Sequence, residues 1–258
     1  MKNFLYIGTF SALMLLVTSC KLGTNSNTGG NFLNFEVIDT PQTSSNLLDE
    51  MYVAALSQNQ YNTYNPVTKS SDTAGTTITL GTNDSLNVSI NNTNSYNLAT
   101  NSFLPNGFYT YTNPSAMNFP NTNSYKINLK YQGTNYSATL SNLPYVYKIK
   151  SATCSQNSAN NVSCTISTSN TEGRLPAGVV LYTLNVGGSS ICTGVLNNSL
   201  VDLDYVSFPG CQMSSFNNTI TMQIGYNVPL TNVSNSNSST TFNLQGQYYF
   251  VSSINVNR

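Results

Sequence analysis

Tyr125-Lys126-Ile127-Asn128-Leu129-Lys130-Tyr131, then Gln132-Gly133-Thr134, then Asn135-Tyr136-Ser137-Ala138-Thr139-Leu140, is the stretch that decides the fold class. Tyr125, Ile127, Leu129 and Tyr131 occupy every second position with Lys or Asn between them. That is the period of a strand with one buried and one wet face. The Gly-containing connection then reads as a hairpin into Asn135 to Leu140.

The same signal recurs on either side. Ile78 and Leu80, then Leu86, Val88 and Ile90, alternate with Thr, Asn and Ser. Further runs are Tyr145 to Ile149, Val162 to Ile166, Val179 to Val186, Leu200 to Phe208, Thr219 to Tyr226 and Thr241 to Val256. Strands separated by Asn, Ser, Gly and Pro clusters predict an all-β sandwich or barrel. Ser45 to Leu56 is ambiguous. Leu47, Leu48, Met51, Ala55 and Leu56 fall near helical spacing with Ser45 and Asp49 or Glu50 placed like a cap and first-turn acids, yet Tyr52-Val53 favours a strand.

Composition removes several function classes. The 258 residues include no His and no Trp, 7% are charged, and nine basic residues balance nine acidic ones. Without His there is no Ser-His-Asp triad, no Cys-His pair and no His-ligated metal. A neutral polar chain is not an electrostatic nucleic-acid binder. No cofactor motif is present: Gly187-Gly188 reads as a hairpin turn, since no helix pattern follows it.

The first twenty residues carry an address. Lys2 precedes an apolar run from Phe4 through Val17, which ends in Val17-Thr18-Ser19-Cys20. This is a secretory signal, with an apolar run too short to span a bilayer comfortably. It resembles the signal and lipobox of bacterial lipoproteins. The resemblance implies cleavage of residues 1–19, acylation of Cys20 on its sulfur and amine (palmitate among the chains), and stable membrane anchoring by several chains. Lys21 is not the Asp that retains such proteins in the inner membrane of well-studied diderm bacteria, so an outer-membrane location in the cell envelope is expected. Residues 20–31 lack an apolar period and read as a tether, about 15 to 20 Å in reach.

Four cysteines follow: Cys154, Cys164, Cys192 and Cys211. An even number in an exported chain suggests disulfides, with three pairings possible. Cys154 with Cys164 and Cys192 with Cys211 is favoured, because each closes a short segment between strand-like runs. A metal site is the competing reading, although no CxxC pair is present.

Leu143-Pro144 is the expected domain boundary. The pattern from Tyr125 to Pro144 looks like the closing hairpin of immunoglobulin-like domains in bacterial surface lipoproteins. With the cysteines confined to the part after Pro144, it implies two tandem immunoglobulin-like sandwiches, 32–144 and 145–258, the second holding two disulfides.

Among residues able to do chemistry, Asp202 and Asp204 lie at strand spacing and would share a face within roughly 7 Å. Val201, Leu203 and Tyr205 would take the other face, with the acids in water. Two carboxylates at such a distance suit a glycosidase or a cation site. Asp49 and Glu50 would diverge. Tyr109 and Tyr111, Tyr145 and Tyr147, and Tyr248-Tyr249 could stack on sugars or on one another in a core. The expectation is a non-enzymatic, lipid-anchored envelope protein, periplasmic or surface-exposed. Its membrane contact would be through Cys20, and it would present sandwiches to a protein or glycan partner. The alternative is a carboxylate-dependent glycan-active enzyme, or a cation-dependent sugar-binding domain, centred on Asp202 and Asp204.

Overall fold

The first long strand contains Phe32 to Asp39, all buried, because both of its faces are covered, Leu33, Phe35 and Val37 by the main core and Ile38 by a smaller one. A computed structural model describes residues 30–41, 48–66, 69–113, 123–143, 148–168, 179–186, 190–200, 202–214, 217–235 and 242–256. The signal peptide, Cys20 and nearly all of the tether lie outside these residues, as do Tyr145, Tyr147 and Gly187-Gly188. Among the described residues there is no helix.

In chain order the first half comprises β1 (Asn31–Pro41), β2 (Leu48–Gln58), β3 (Thr63–Asn65), β4 (Ser70–Asp72), β5 (Thr76–Thr77), β6 (Ser85–Ile90), β7 (Asn94–Asn97), β8 (Ala99–Thr100), β9 (Phe108–Asn113), β10 (Tyr125–Tyr131) and β11 (Thr134–Leu140). The second half comprises β12 (Ile149–Ser158), β13 (Asn161–Thr168), β14 (Val179–Val186), β15 (Ser190–Thr193), β16 (Val195–Leu200), β17 (Leu203–Pro209), β18 (Asn218–Val228), β19 (Leu230–Asn235) and β20 (Phe242–Asn255). The hairpin that decided the fold class is β10–β11, in register from Tyr125 opposite Leu140 to Tyr131 opposite Thr134.

Three main sheets form. A nine-stranded sheet has the order β15-β14-β18-β20-β1-β2-β9-β8, with β5 beside β2. A five-stranded sheet, β19-β11-β10-β6-β7, and a four-stranded sheet, β12-β13-β17-β16, both contribute to one hydrophobic core with it. Alternation explains this core: Ile127 and Leu129 of β10, and Val162, Cys164 and Ile166 of β13, point inward while the residues between them face out. The two smaller sheets thus make two sandwich lobes on one shared large sheet.

The boundary expected at Leu143-Pro144 does not divide the strand pairing. β20 lies parallel to β1, from Asn31 opposite Phe242 to Asp39 opposite Phe250, and β19 pairs with β11. The length of the late strands accounts for the difference. β20 packs its first residue, Phe242, edge-on against Tyr131 and Tyr136 of the five-stranded sheet, while Ser252 accepts the N–H of Ile149 at the start of β12. Gly246 sits where the layers close: a Cβ there would lie 2.6 Å from Leu140 and 2.8 Å from the Val228 carbonyl oxygen. Gly194 has the same role where the chain passes from β15 to β16, with Val206 and Phe208 in the way of a side chain.

The ambiguous segment is strand β2. Tyr52 to Ser57 are all buried, because the five-stranded sheet covers one face and a small second core covers the other. A strand buried on both faces needs apolar residues at consecutive positions, and that imitates helical spacing.

Candidate functional site

Three carboxyl groups lie in the nine-stranded sheet with no exposure: Glu36, Asp39 and Glu50. Asp39 and Glu50 stand opposite each other across β1 and β2. Tyr125 donates to Glu50 Oε1 at 2.6 Å, Tyr52 donates to Glu50 Oε2, and Tyr248 donates to Asp39 Oδ2 at 2.7 Å. Burial pushes Glu50 above the usual carboxylate range despite these bonds, and it pushes the Tyr52 and Tyr125 hydroxyls upward too. Tyr111 stacks nearly parallel to Tyr52 at 6.4 Å and stacks on Tyr96 at 4.6 Å, carrying the aromatic array to half-buried positions.

Glu36 belongs to the opposite face of the sheet. Asn34 Nδ2 and the Tyr64 N–H donate to its Oε1 at 2.5 and 3.0 Å, while Oε2 has no hydrogen-bond partner. Burial lifts its pKa from 4.5 to about 8. The acid is therefore neutral through the mildly acidic and neutral range, held under the β3–β4 hairpin that supplies Tyr64.

Sequence reading missed these groups, although a signal was present. Glu36 and Asp39 have opposite parity in one strand, so an alternating strand with a single wet face could not have exposed both. The expected pair fares differently. Asp202 sits in a turn with φ of 60°, outside β17. Asp204, 2% exposed, points inward beside Val206 and Phe208, and Tyr182 donates to its Oδ2. The core needs the face that Asp204 shares with those two residues, so Tyr205 takes the outer face instead. The two acids do not present a water-facing pair. Among the described residues no three Cys, Asp or Glu side chains converge as a metal-binding group.

The cysteine sulfurs lie at disulfide distance in two pairs. Cys154 and Cys164 are cross-strand neighbours of β12 and β13, and Cys192 of β15 meets Cys211 after β17, clipping the large sheet to the four-stranded one. Of the tyrosine pairs proposed as sugar platforms, Tyr109 and Tyr248 are buried, and Tyr111 and Tyr249 are half-buried among core contacts.

The outer face of the four-stranded sheet is organised differently. Ser151, Thr153 and Ser155 of β12 stand opposite Ser167, Thr165 and Ser163 of β13. Their hydroxyls make a two-by-three grid, about 4.8 Å across the strands and about 6.8 Å along them. The rows continue into Leu203, Tyr205 and Ser207 of β17. Tyr205 is 36% exposed with Asn198 of β16 opposite it, and Val195 and Leu200, 51% and 48% exposed, stand opposite Ser207 and Leu203 to either side. A shallow depression of about 370 Å³ opens here, lined by Thr153, Ser155, Ser163, Thr165, Asn197 and Tyr205, and no charged side chain lines it.

No known family model matches the chain, and no curated protein is similar to it.

Proposed function

We propose that the chain is a non-enzymatic, lipid-anchored protein of the bacterial cell envelope. Acylated at Cys20, it presents two sandwich lobes of immunoglobulin-like kind to a protein or glycan partner. The observation that carries this reading is the run Val17-Thr18-Ser19-Cys20 after an apolar signal, followed by a turn-rich tether. The chemistry of the lobes supports it: Tyr125 of the five-stranded sheet donates to Glu50, and Tyr182 of the large sheet donates to Asp204 of the four-stranded one, so two of the buried acids fasten layers together.

Metabolic labelling of the native strain with radiolabelled palmitate, alongside Cys20→Ser, tests the anchor. Label on the wild-type chain alone, with the variant released from the membrane fraction, supports the reading, and an unlabelled wild type sinks it. Protease shaving of intact cells against a periplasmic control then decides the side. Early release of peptides from this chain means surface display, whereas protection until the envelope is broken means a periplasmic partner.

A further inference from the structure

We propose that the outer face of the β12-β13-β17-β16 sheet binds an uncharged polysaccharide laid across the strands. The inference rests on the envelope reading above and names the partner class for it. Sugars present two kinds of surface, hydroxyl rims and patches of C–H on the ring faces. This sheet presents a complement to each. Ser151, Thr153, Ser155, Ser163, Thr165 and Ser167 offer donors and acceptors at regular spacing. Tyr205 offers an aromatic face, and Val195 and Leu200, on the next strand to either side of Asn198, add exposed aliphatic patches.

Charge sets the class. No charged side chain lines the depression or stands in the three rows; Lys150 and Asp202, one of each sign, sit beyond the end of the Ser151–Ser167–Leu203 row, so the face offers no net charge to a phosphorylated or uronic-acid chain or to a basic peptide. The depression, about 370 Å³ and open along the sheet, suits a chain entering and leaving better than a small ligand enclosed on all sides. The platform is also held firmly from below. Cys154 and Cys164 join the two hydroxyl-bearing strands at their middle, and Val206 and Phe208 anchor β17 in the core. A pre-ordered face loses little entropy on binding.

The test is co-sedimentation of the full mature lipoprotein, in detergent, with insoluble chitin, cellulose and starch, and with sacculi from the producing cell. We expect wild type to sediment with at least one, uncharged competitor to displace it, and 1 M salt to leave binding intact. Tyr205→Ala should weaken binding at least tenfold and Thr153→Val/Thr165→Val severalfold, with melting temperatures near wild type. Thr221→Val, on the nine-stranded sheet, should bind like wild type. Capture by sacculi alone would make the ligand the cell's own wall glycan. Capture by the other polymers would place the source outside it. Failure to sediment with all four, equal binding by Tyr205→Ala, or a Tyr205-dependent dimer in light scattering without polysaccharide binding overturns the proposal. Palmitate labelling is unaffected by these outcomes, so failure of this face and failure of the anchored reading are told apart.

Discussion

The lobe built on β10 and the lobe built on β13 bury similar alternating rows against the same sheet, yet they are fastened by different chemistry. In the first, tyrosine hydroxyls from both layers converge on Glu50 and Asp39, and no cysteine is present. In the second, two cysteine pairs do the fastening, and a single acid, Asp204, takes one tyrosine hydroxyl. One set of fastenings responds to protons and the other to reductant. Among the described residues no buried cation offsets these acids, and burial holds Glu36 and Glu50 above the usual carboxylate range.

The largest effect should come from the first lobe. Glu50→Ala removes the acceptor of two buried tyrosine hydroxyls. Denaturant unfolding should show a loss of about 3–5 kcal/mol, against a smaller loss for Glu50→Gln, which keeps an acceptor. Equal losses for the two would mean that the side chain is filling space only. In the second lobe, Cys192→Ala/Cys211→Ala should cost roughly 3 kcal/mol, and reductant, which opens both cysteine pairs, should cost the wild type more.

Glu36 gives the next effect. Its pKa is 4.5 in the unfolded chain and about 8 in the fold, so the folded state binds more protons between those values. Its contribution is whole below about pH 4.5, declines as pH rises, and is lost once pH passes about 8. The slope is at most about 1.4 kcal/mol per unit, or about 2–3 kcal/mol between pH 5 and 7. Glu36→Gln should flatten this part of a pH–stability curve. A wild-type curve already flat from pH 5 to 8 would contradict the assignment. Smallest of all, Tyr205→Ala should change stability by about 0.5 kcal/mol or less, because its side chain is on the outer face.

Local pattern made the all-β class legible. Tyr125 to Tyr131 and Val162 to Ile166 alternate because each has one covered face, and that periodicity survives without knowledge of partners. What escaped was non-local. The parallel pairing of β1 with β20 joins residues about as far apart as the described chain permits, and nothing local in Phe32 to Asp39 names its neighbour. β12 carries few apolar residues, since its inner face needs only Ile149, Ala152 and Cys154, and its outer face is hydroxyl-bearing. The position of Asp204 escaped for a related reason: strand parity is set by which face the core claims, and Val206 and Phe208 outweigh one acid that Tyr182 can satisfy.

Differential scanning calorimetry across pH, with and without reductant, tests the central claim that both lobes are built on one continuous sheet. Because β18, β20 and β1 join the lobes, the account predicts a single transition with equal calorimetric and van't Hoff enthalpies, and raising the pH or reducing the disulfides should lower that one melting temperature. Two resolved transitions, one moved only by pH and the other only by reductant, would contradict it.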